Sequence, residues 1–294
     1  MSDDSAATFA RYRPLLFSIA YEMLGSAADA EDVVQESYLR WANTDRSTIE
    51  NEKSYLTQIV TRQSLNHMRT LARRKETYLG PWLPEPIGTQ DDASTDVILA
   101  ESLSFAMLLV LESLSPAERA VFVLREVFDY PHSDIAEMLG KSDAAVRQLA
   151  SRAREHVTQR RKRFDADQQV AQNVLGEFLT SAATGDVDRL VEMLTEDVVA
   201  YSDGGGLVSA ARRPIHGADK VSRWMAGAAR KGGAAATIEF AHVNALPAAL
   251  VKIDGQIVSA ILADVEDGKI SALYFVANPE KLSFADALQP VSRV

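Results

Sequence analysis

Residues 132–154 read His132-Ser-Asp-Ile-Ala-Glu-Met-Leu-Gly140, then Lys-Ser-Asp, then Ala144-Ala-Val-Arg-Gln-Leu-Ala-Ser-Arg-Ala-Arg154. This spacing predicts two helices joined by a tight turn. Gly140 permits the left-handed conformation that ends the first helix, and Ser142 is placed to cap the second. Apolar residues recur in the second helix at spacings of three and four, which predicts a buried stripe of Val146, Leu149, Ala150, Ala153 and Val157. The pattern is typical of a helix-turn-helix.

The opposite face of the second helix is polar and basic. Arginine and glutamine can read base edges in a DNA major groove, while other groups hold phosphates. Residues 141–163 carry eight basic and two acidic side chains, although the whole chain has a net charge of −10. Such local positive charge favours DNA binding over an ordinary helical hairpin with a solvated basic face. The predicted DNA-facing residues are Ser142, Arg147, Gln148, Ser151, Arg152 and Arg154.

A second basic face is predicted on a helix from about residue 52 to residue 74. Arg62, Asn66, Arg69 and Arg73 recur at intervals that place them along one side, and Arg74 extends the charge. Taken alone, the row is equally well explained as a solvated helix face. Two separate basic helices in one acidic chain are better explained by a nucleic-acid contact.

Composition excludes several classes of function. With 294 residues and 47% hydrophobic content, the chain is expected to form two or three domains. It has no cysteine, so thiolate catalysis, disulfides and zinc-cysteine fingers are excluded. The five histidines lack metal-ligand spacing, and we expect no metal and no cofactor. The N-terminus lacks a secretory pattern and no apolar run is long enough to span a membrane, so a soluble, cytoplasmic protein is expected.

Three prolines within six residues interrupt the helical pattern in Gly80-Pro-Trp-Leu-Pro-Glu-Pro86. Proline prevents helix continuation and favours an extended path, which predicts a linker over 80–95. Trp82 and Leu83 are too apolar for a purely solvated linker, so we expect them to dock on another surface.

The pattern changes again after residue 163. A helix from about 166 to 184 is followed by alternating strand patterns over 237–243, 248–253, 256–263 and 270–276. Asp254-Gly255 and Asp267-Gly268 are the pairs that tight hairpins require. These signals predict a separate α+β domain with an antiparallel, curved sheet.

The motifs of residues 1–163 resemble those of bacterial extracytoplasmic-function sigma factors. The resemblance is carried by Asp29-Ala-Glu-Asp-Val-Val-Gln-Glu36, by the helix that contains Arg62 to Arg73, and by Leu114-Ser-Pro-Ala-Glu-Arg119 with the helix-turn-helix. It implies region 2 over 1–79 and region 4 over 96–163, both all-α. Region 2 would bind the minus-ten element through Arg62, Asn66, Arg69, Arg73 and Arg74, and region 4 the minus-35 element. Asn66 stands where many relatives have Asp, which would alter the preferred minus-ten base.

The same resemblance implies partners for the chain. Promoter DNA would be opened together with the RNA polymerase core, bound through its largest-subunit coiled coil and its flap. The core-binding face would lie on the second helix; the alternative role for these acidic residues is stabilisation of the helix N-terminus. The residues of this face are Asp29, Asp32, Gln35 and Glu36.

Residues 164–294 resemble a SnoaL-like domain of the nuclear-transport-factor cone fold, which some sigma factors carry at their C-terminus. The resemblance implies that this domain regulates the sigma modules in cis. Glycines allow another backbone to come close, which favours a contact loop at residues 203–206 over a simple turn. The implied interdomain residues are Trp82, Leu83, Pro84, Glu85 and Pro86 in the linker, Asp203, Gly204, Gly205 and Gly206 in the loop, and Asn278, Pro279, Lys281 and Leu282 near the end.

Two other interpretations remain open at this stage. The third domain could retain a small-molecule ligand or acid-base catalysis, for which Tyr201, Asp203, His216, His242 and Asp264 are the candidates. No diagnostic spacing links these residues, so we expect no enzyme. The whole chain could instead be a metabolite-sensing helix-turn-helix transcription factor, but such a protein needs no minus-ten module.

Overall fold

The computed structural model describes residues 2–89, 99, 102–160, 168–232 and 236–293. The chain divides into two compact units. The first contains residues 1–76, 94–161 and 289–294, and the second contains residues 77–93 and 162–288. The predicted start of region 4 near residue 96 lies outside the described residues, as do Arg161, Lys162 and Arg163 of the basic segment 141–163. Among the described residues, no helix is long and apolar enough to cross a membrane.

Seven α-helices of the first unit lie wholly within the described residues. They are α1 (Ser2–Leu24), α2 (Ala27–Ala42), α3 (Glu52–Glu76), α4 (Phe105–Glu112), α5 (Pro116–Phe122), α6 (His132–Leu139) and α7 (Asp143–Arg160). Gly25 ends α1 with a φ of 67°, and Ser26 caps α2 by accepting a hydrogen bond from the Asp29 N–H. Ser115 and Glu118 form a capping box at the start of α5. A π-helical turn, Val123–Val127, follows α5.

The helix-turn-helix forms as the sequence predicts. Gly140 ends α6 in the left-handed conformation, with a φ of 62°. The Ser142 hydroxyl accepts a hydrogen bond of 3.2 Å from the Ala145 N–H at the start of α7. The predicted apolar stripe of α7 is buried, and it consists of Val146, Leu149, Ala150, Ala153 and Val157. The polar side of the helix therefore faces outward.

The second unit is an α+β domain. Its helices are α8 (Gln168–Thr184), α9 (Val187–Glu192) and α10 (Ala218–Gly232), and its strands are β1 (Leu194–Asp203), β2 (Ile215–His216), β3 (Ala236–Val243), β4 (Leu246–Ile253), β5 (Gln256–Glu266) and β6 (Lys269–Val276). The predicted turns at Asp254-Gly255 and Asp267-Gly268 are present, each with positive φ at both residues.

The sheet is mixed, which corrects the prediction of an antiparallel sheet. Strand order is β2-β1-β6-β5-β4-β3, and β1 pairs with β6 in parallel, for example Tyr201 with Tyr274. The chain leaves β1, passes through β2 and α10, and builds the β3–β6 meander, whose last strand returns beside β1 in the same direction. The alternation of apolar and polar residues in a strand indicates which side chains are buried. It does not indicate the direction of the neighbouring strand, so the parallel pairing of β1 with β6 could not be predicted from it.

One face of the sheet packs against the helices. Buried side chains of α8 and α10, such as Phe178 and Met225, contact strand residues such as Leu273 and Phe275. Trp224 of α10 meets the Phe275 ring edge-on at 4.7 Å between centroids. Well-packed apolar side chains therefore occupy the space between helices and sheet.

Candidate DNA-binding surfaces and linker-binding site

The basic row on α3 is exposed. Arg62, Asn66, Arg69 and Arg73 all have solvent-exposed side chains, as one helix face requires. A pocket of about 630 Å³ lies beside this row, lined in part by Asn43, Thr44, Tyr55, Gln58 and Arg62. The surface thus combines positive charge with a recess that contains an aromatic ring.

Arg62 is engaged within the first unit. Its Nε donates a hydrogen bond of 2.9 Å to the carbonyl of Met138, at the C-terminal end of α6. One turn earlier on α3, the hydroxyls of Thr57 and Tyr130 are 2.8 Å apart and buried. The helix predicted to read the minus-ten element therefore contacts the first helix of the helix-turn-helix.

The predicted polymerase-binding residues of α2 divide into two groups. Asp32, Gln35 and Glu36 are exposed. Asp29 is 6% exposed, and its Oδ1 accepts a 2.7 Å hydrogen bond from Arg74, a residue predicted to contact DNA. Direct contact of the buried Asp29 carboxylate with a partner would require this ion pair to open, whereas the Arg74 side chain is 51% exposed while paired.

The polar face of α7 carries three arginines that each pair with a carboxylate. Arg147 pairs with Asp143 at 2.5 Å, Arg152 with Glu118 at 3.2 Å, and Arg154 with Glu126 at 2.7 Å. Gln148 and Ser151 lie between them and are exposed.

The second unit includes residues 77–93, which extend the predicted linker into the end of predicted region 2. We call this segment the linker from here on; it meets the third domain at Asp203. This carboxylate is fully buried and accepts hydrogen bonds from the Tyr78 hydroxyl (2.5 Å), the Leu83 N–H (2.9 Å) and the Gly205 N–H (3.1 Å). Lys281 completes the set at 2.8 Å and also donates to the Leu83 carbonyl at 2.7 Å. The site therefore ties together residues that lie about 200 positions apart in the chain.

Aromatic rings surround the lysine of this site. Lys281 Nζ lies 3.4 Å from the Trp82 ring centroid and 4.8 Å from that of Tyr78, so two π faces stabilise its charge. Asn278 donates to the Tyr78 hydroxyl at 2.8 Å. Burial, together with the hydrogen bond to Asp203, raises the pKa of Tyr78 well above its usual range, so the hydroxyl remains a donor.

The loop glycines are required by close approach. A Cβ at Gly205 would lie 2.5 Å from the Asn278 side chain, and one at Gly206 would lie 2.8 Å from Leu79. A Cβ at Gly204 would lie 2.7 Å from that of Ala210. The remaining predicted residues lie alongside: Pro84, Glu85 and Pro86 are buried in the linker, Pro279 begins a 3₁₀ turn, and Leu282 is buried.

A second linker contact was not expected from the sequence. The Asn244 N–H donates to the Ile87 carbonyl at 2.9 Å, and its side chain accepts from the Ile87 N–H at 3.1 Å. The Thr89 N–H donates to the His242 carbonyl, and the Gly88 N–H donates to the Phe284 carbonyl. Residues 87–89 are thus held between the β3–β4 turn and the C-terminal segment.

The catalytic candidates of the third domain do not form one site. Tyr201 and Asp264 meet through Tyr274, whose hydroxyl donates to Asp264 at 2.6 Å and whose ring stacks on Tyr201. Asp203 accepts hydrogen bonds from the linker residues Tyr78 and Leu83. His216 lies on β2 and His242 near the end of β3.

Family models match both halves of the first unit. The Sigma-70 region 2 model matches residues 8–74, and the Sigma-70, region 4 model matches residues 104–157. These matches cover α3 and the helix-turn-helix, the two elements with basic faces. They define a transcription-initiation factor of the sigma-70 class.

Individual relatives narrow the class. The chain is 40% identical to the ECF RNA polymerase sigma factor SigJ of Mycobacterium tuberculosis, over 94% of this chain and 92% of that protein. It is 29% identical to the probable ECF RNA polymerase sigma factor SigI of the same species, over 95% of each. The crystal structure of SigJ matches with a TM-score of 0.76 and 37% identity, covering 95% of this chain and 99% of that one.

The chain therefore belongs to the extracytoplasmic-function (ECF) RNA polymerase sigma factors, and it directs promoter-specific initiation of transcription. The predicted resemblance to extracytoplasmic-function sigma factors is confirmed, as is the fold class of two helical sigma domains followed by an α+β domain. Sigma factors bind the polymerase core and promoter DNA, and the family's activity is not enzymatic.

Proposed function

We propose that the third domain modulates initiation in cis by binding the linker that joins region 2 to region 4. The observation that carries the proposal is the Asp203–Lys281 ion pair, which is buried against linker residues Tyr78, Trp82 and Leu83. While the linker is bound, its residues 78–83 and 87–89 are held at two fixed points on the third domain. The spacing of the two promoter-reading modules then depends on the third domain, and polymerase must release the linker to impose its own spacing.

The contact between α3 and α6 supports a closed resting state. Arg62 donates to the end of α6, so this predicted minus-ten residue is occupied in the structure. We infer that a sigma factor separates these helices when it contacts both promoter elements at once. We propose that the closed state holds the Arg62 side chain in an orientation set by α6, which polymerase changes when it binds.

Promoter contacts follow from the two basic faces. We propose that Arg62, Asn66, Arg69 and Arg73 follow the phosphates of the melted strand, with the adjacent pocket receiving an unstacked base. The outward residues of α7 would read the minus-35 element in the major groove. Asp32, Gln35 and Glu36 would meet polymerase, with Asp29 fixing α2 against α3 through Arg74.

A catalytic third domain is less well supported. Of its catalytic candidates, Tyr201 and Asp264 meet through Tyr274, while Asp203 binds the linker. Apolar side chains such as Phe178 and Phe275 pack between helices and sheet. We propose that this domain works by binding the linker.

In vitro transcription tests the regulatory proposal. Full-length protein and a fragment of residues 1–163 would each be titrated into core polymerase on a set of promoters. The fragment should reach half-maximal transcription at a different sigma concentration, because its linker has no third domain to bind. Equal transcription at every promoter and concentration would end the proposal.

A further inference from the structure

Acidic side chains border the recognition helix of the helix-turn-helix. Carboxylates repel DNA phosphates, so an acidic residue beside a DNA-reading face weakens binding unless it has another role there. Glu118 comes from α5 and Glu126 from the π-helical turn that follows it, and each pairs with an arginine of α7, Arg152 and Arg154 respectively. Both acids therefore reach α7 from a neighbouring element of the same helical domain.

The two arginines occupy the borders of the DNA-facing side. They are two residues apart, so they lie about 160° apart on the side of the helix that carries Gln148 and Ser151. Their side chains remain 56% and 54% exposed while paired, which leaves guanidinium N–H groups available. An arginine carries five donors, so one partner does not exhaust it.

Both acids are themselves held. Glu118 hydrogen-bonds the Ser115 hydroxyl at 2.6 Å and is 12% exposed at its side chain. That hydrogen bond lowers the pKa of Glu118, so it stays charged at neutral pH. Glu126 lies in a π-helical turn, a conformation that is rare and frequent at functional sites. The carboxylate of Glu118 is thus held by Ser115, and the position of Glu126 is set by the backbone of the π-helical turn.

We propose that Glu118 and Glu126 are positioning residues for minus-35 specificity, which orient Arg152 and Arg154 and offset their charge while DNA is bound. An oriented guanidinium can discriminate between base edges, whereas a free one tracks any phosphate. Neutralising the arginines also limits binding to unrelated sequences, which suits a protein of net charge −10. This inference rests on the proposal that α7 reads the minus-35 element.

The test uses full-length protein with core polymerase on a promoter library in which both hexamers are randomised. Glu126→Gln and Glu118→Gln remove the charge and keep the side-chain shape; glutamine also preserves the capping box at Ser115. Each variant should flatten sequence preference in the minus-35 hexamer. For holoenzyme binding to one selected promoter, the slope of log K against log salt should steepen by about one, because an arginine becomes free to bind phosphate.

Glu155→Gln is the matched control, since Glu155 lies on the same helix and, within the part of the chain that the structure describes, accepts a hydrogen bond along that helix from Gln159 at 3.3 Å. It removes the same charge and should leave the preference unchanged. The inference is overturned if Glu126→Gln and Glu118→Gln behave like Glu155→Gln, or if they strengthen binding to all sequences equally. Arg147→Ala separates failure of this inference from failure of the proposal that α7 reads the minus-35 element. If Arg147→Ala also leaves the minus-35 preference unchanged, α7 is not the recognition helix.

Discussion

Single residues decide whether the linker stays on the third domain. Asp203 is fully buried and receives four donors, one of them the Lys281 ammonium, which is 3% exposed at its side chain. A buried ion pair contributes little net stability compared with apolar replacements, but losing one partner leaves an uncompensated charge. The site is therefore sensitive to single changes.

Asp203→Asn should destabilise the second unit strongly. The amide cannot neutralise Lys281, so about 3–5 kcal/mol of unfolding free energy should be lost, measured by denaturant titration. Glu239→Gln, which removes the partner of Lys252 on the exposed β3–β4 surface, is the control and should change little. Equal effects from the two variants would show that the buried pair has no special role.

Glu22 gives the first unit a pH dependence. This carboxyl is fully buried in α1, and burial raises its pKa from 4.5 to about 8, while the Ser102 hydroxyl (2.6 Å) and Arg119 oppose the shift. The folded state therefore holds a proton that the unfolded chain releases above pH 4.5. The unfolding free energy should fall as pH rises from about 4.5 to about 8, by on the order of a few kcal/mol.

Glu22→Gln removes that titration. Its unfolding free energy, measured from about pH 5 to about pH 9, should fall less with pH than that of the wild type, so the difference between them should widen up to about pH 8. Parallel curves for the two proteins would contradict a proton on Glu22.

The sequence predicts some residues of the linker-binding site and misses others. Asp203, Lys281 and Trp82 could be selected by resemblance because they lie in distinctive motifs. Tyr78 and Asn244 could not, because a lone tyrosine before a proline-rich segment and an asparagine at a turn have many ordinary explanations. Only the fold brings Tyr78 within 2.5 Å of Asp203.

At the level of elements, local signals predicted the helical domains well. Capping residues and apolar spacing located α7 and its buried stripe, because those signals lie within one helix. In the third domain the same reasoning missed α10, whose apolar residues Val221, Trp224 and Met225 do recur at helical spacing. It also missed the parallel β1–β6 pairing, which depends on a chain path spanning roughly 70 residues.

Replacing glycine by alanine should destabilise the turn of the helix-turn-helix but stabilise the interior of α10. Gly140 has a φ of 62° and open space where a Cβ would stand, so Gly140→Ala should cost about 1 kcal/mol through backbone strain alone. Gly227, inside α10, also has open space but ordinary helical geometry, so Gly227→Ala should stabilise by up to about 1 kcal/mol. Unfolding midpoints measure both changes; a stabilising Gly140→Ala would contradict the left-handed turn.

At the scale of the whole molecule, the promoter reader has two parts and the linker is the segment that joins them. Its residues 78–89 belong to the second unit, anchored at Asp203 and again at Asn244. Composition predicted a linker that docks, since Trp82 and Leu83 are apolar, but not the surface on which it docks. That surface is assembled from β1, the β3–β4 turn and the C-terminal segment, which are far apart in sequence.

A reversible crosslink between linker and third domain tests linker release most directly. A Cβ at Gly206 would lie 3.2 Å from the Leu79 Cβ, close to disulfide range, and the chain has no native cysteine to compete. The double variant Leu79→Cys with Gly206→Cys would be assayed by in vitro transcription with core polymerase, oxidised and then reduced, beside each single variant. Oxidation should block initiation only in the double variant, and reduction should restore it. An oxidised double variant that initiates as well as its reduced form would contradict linker release.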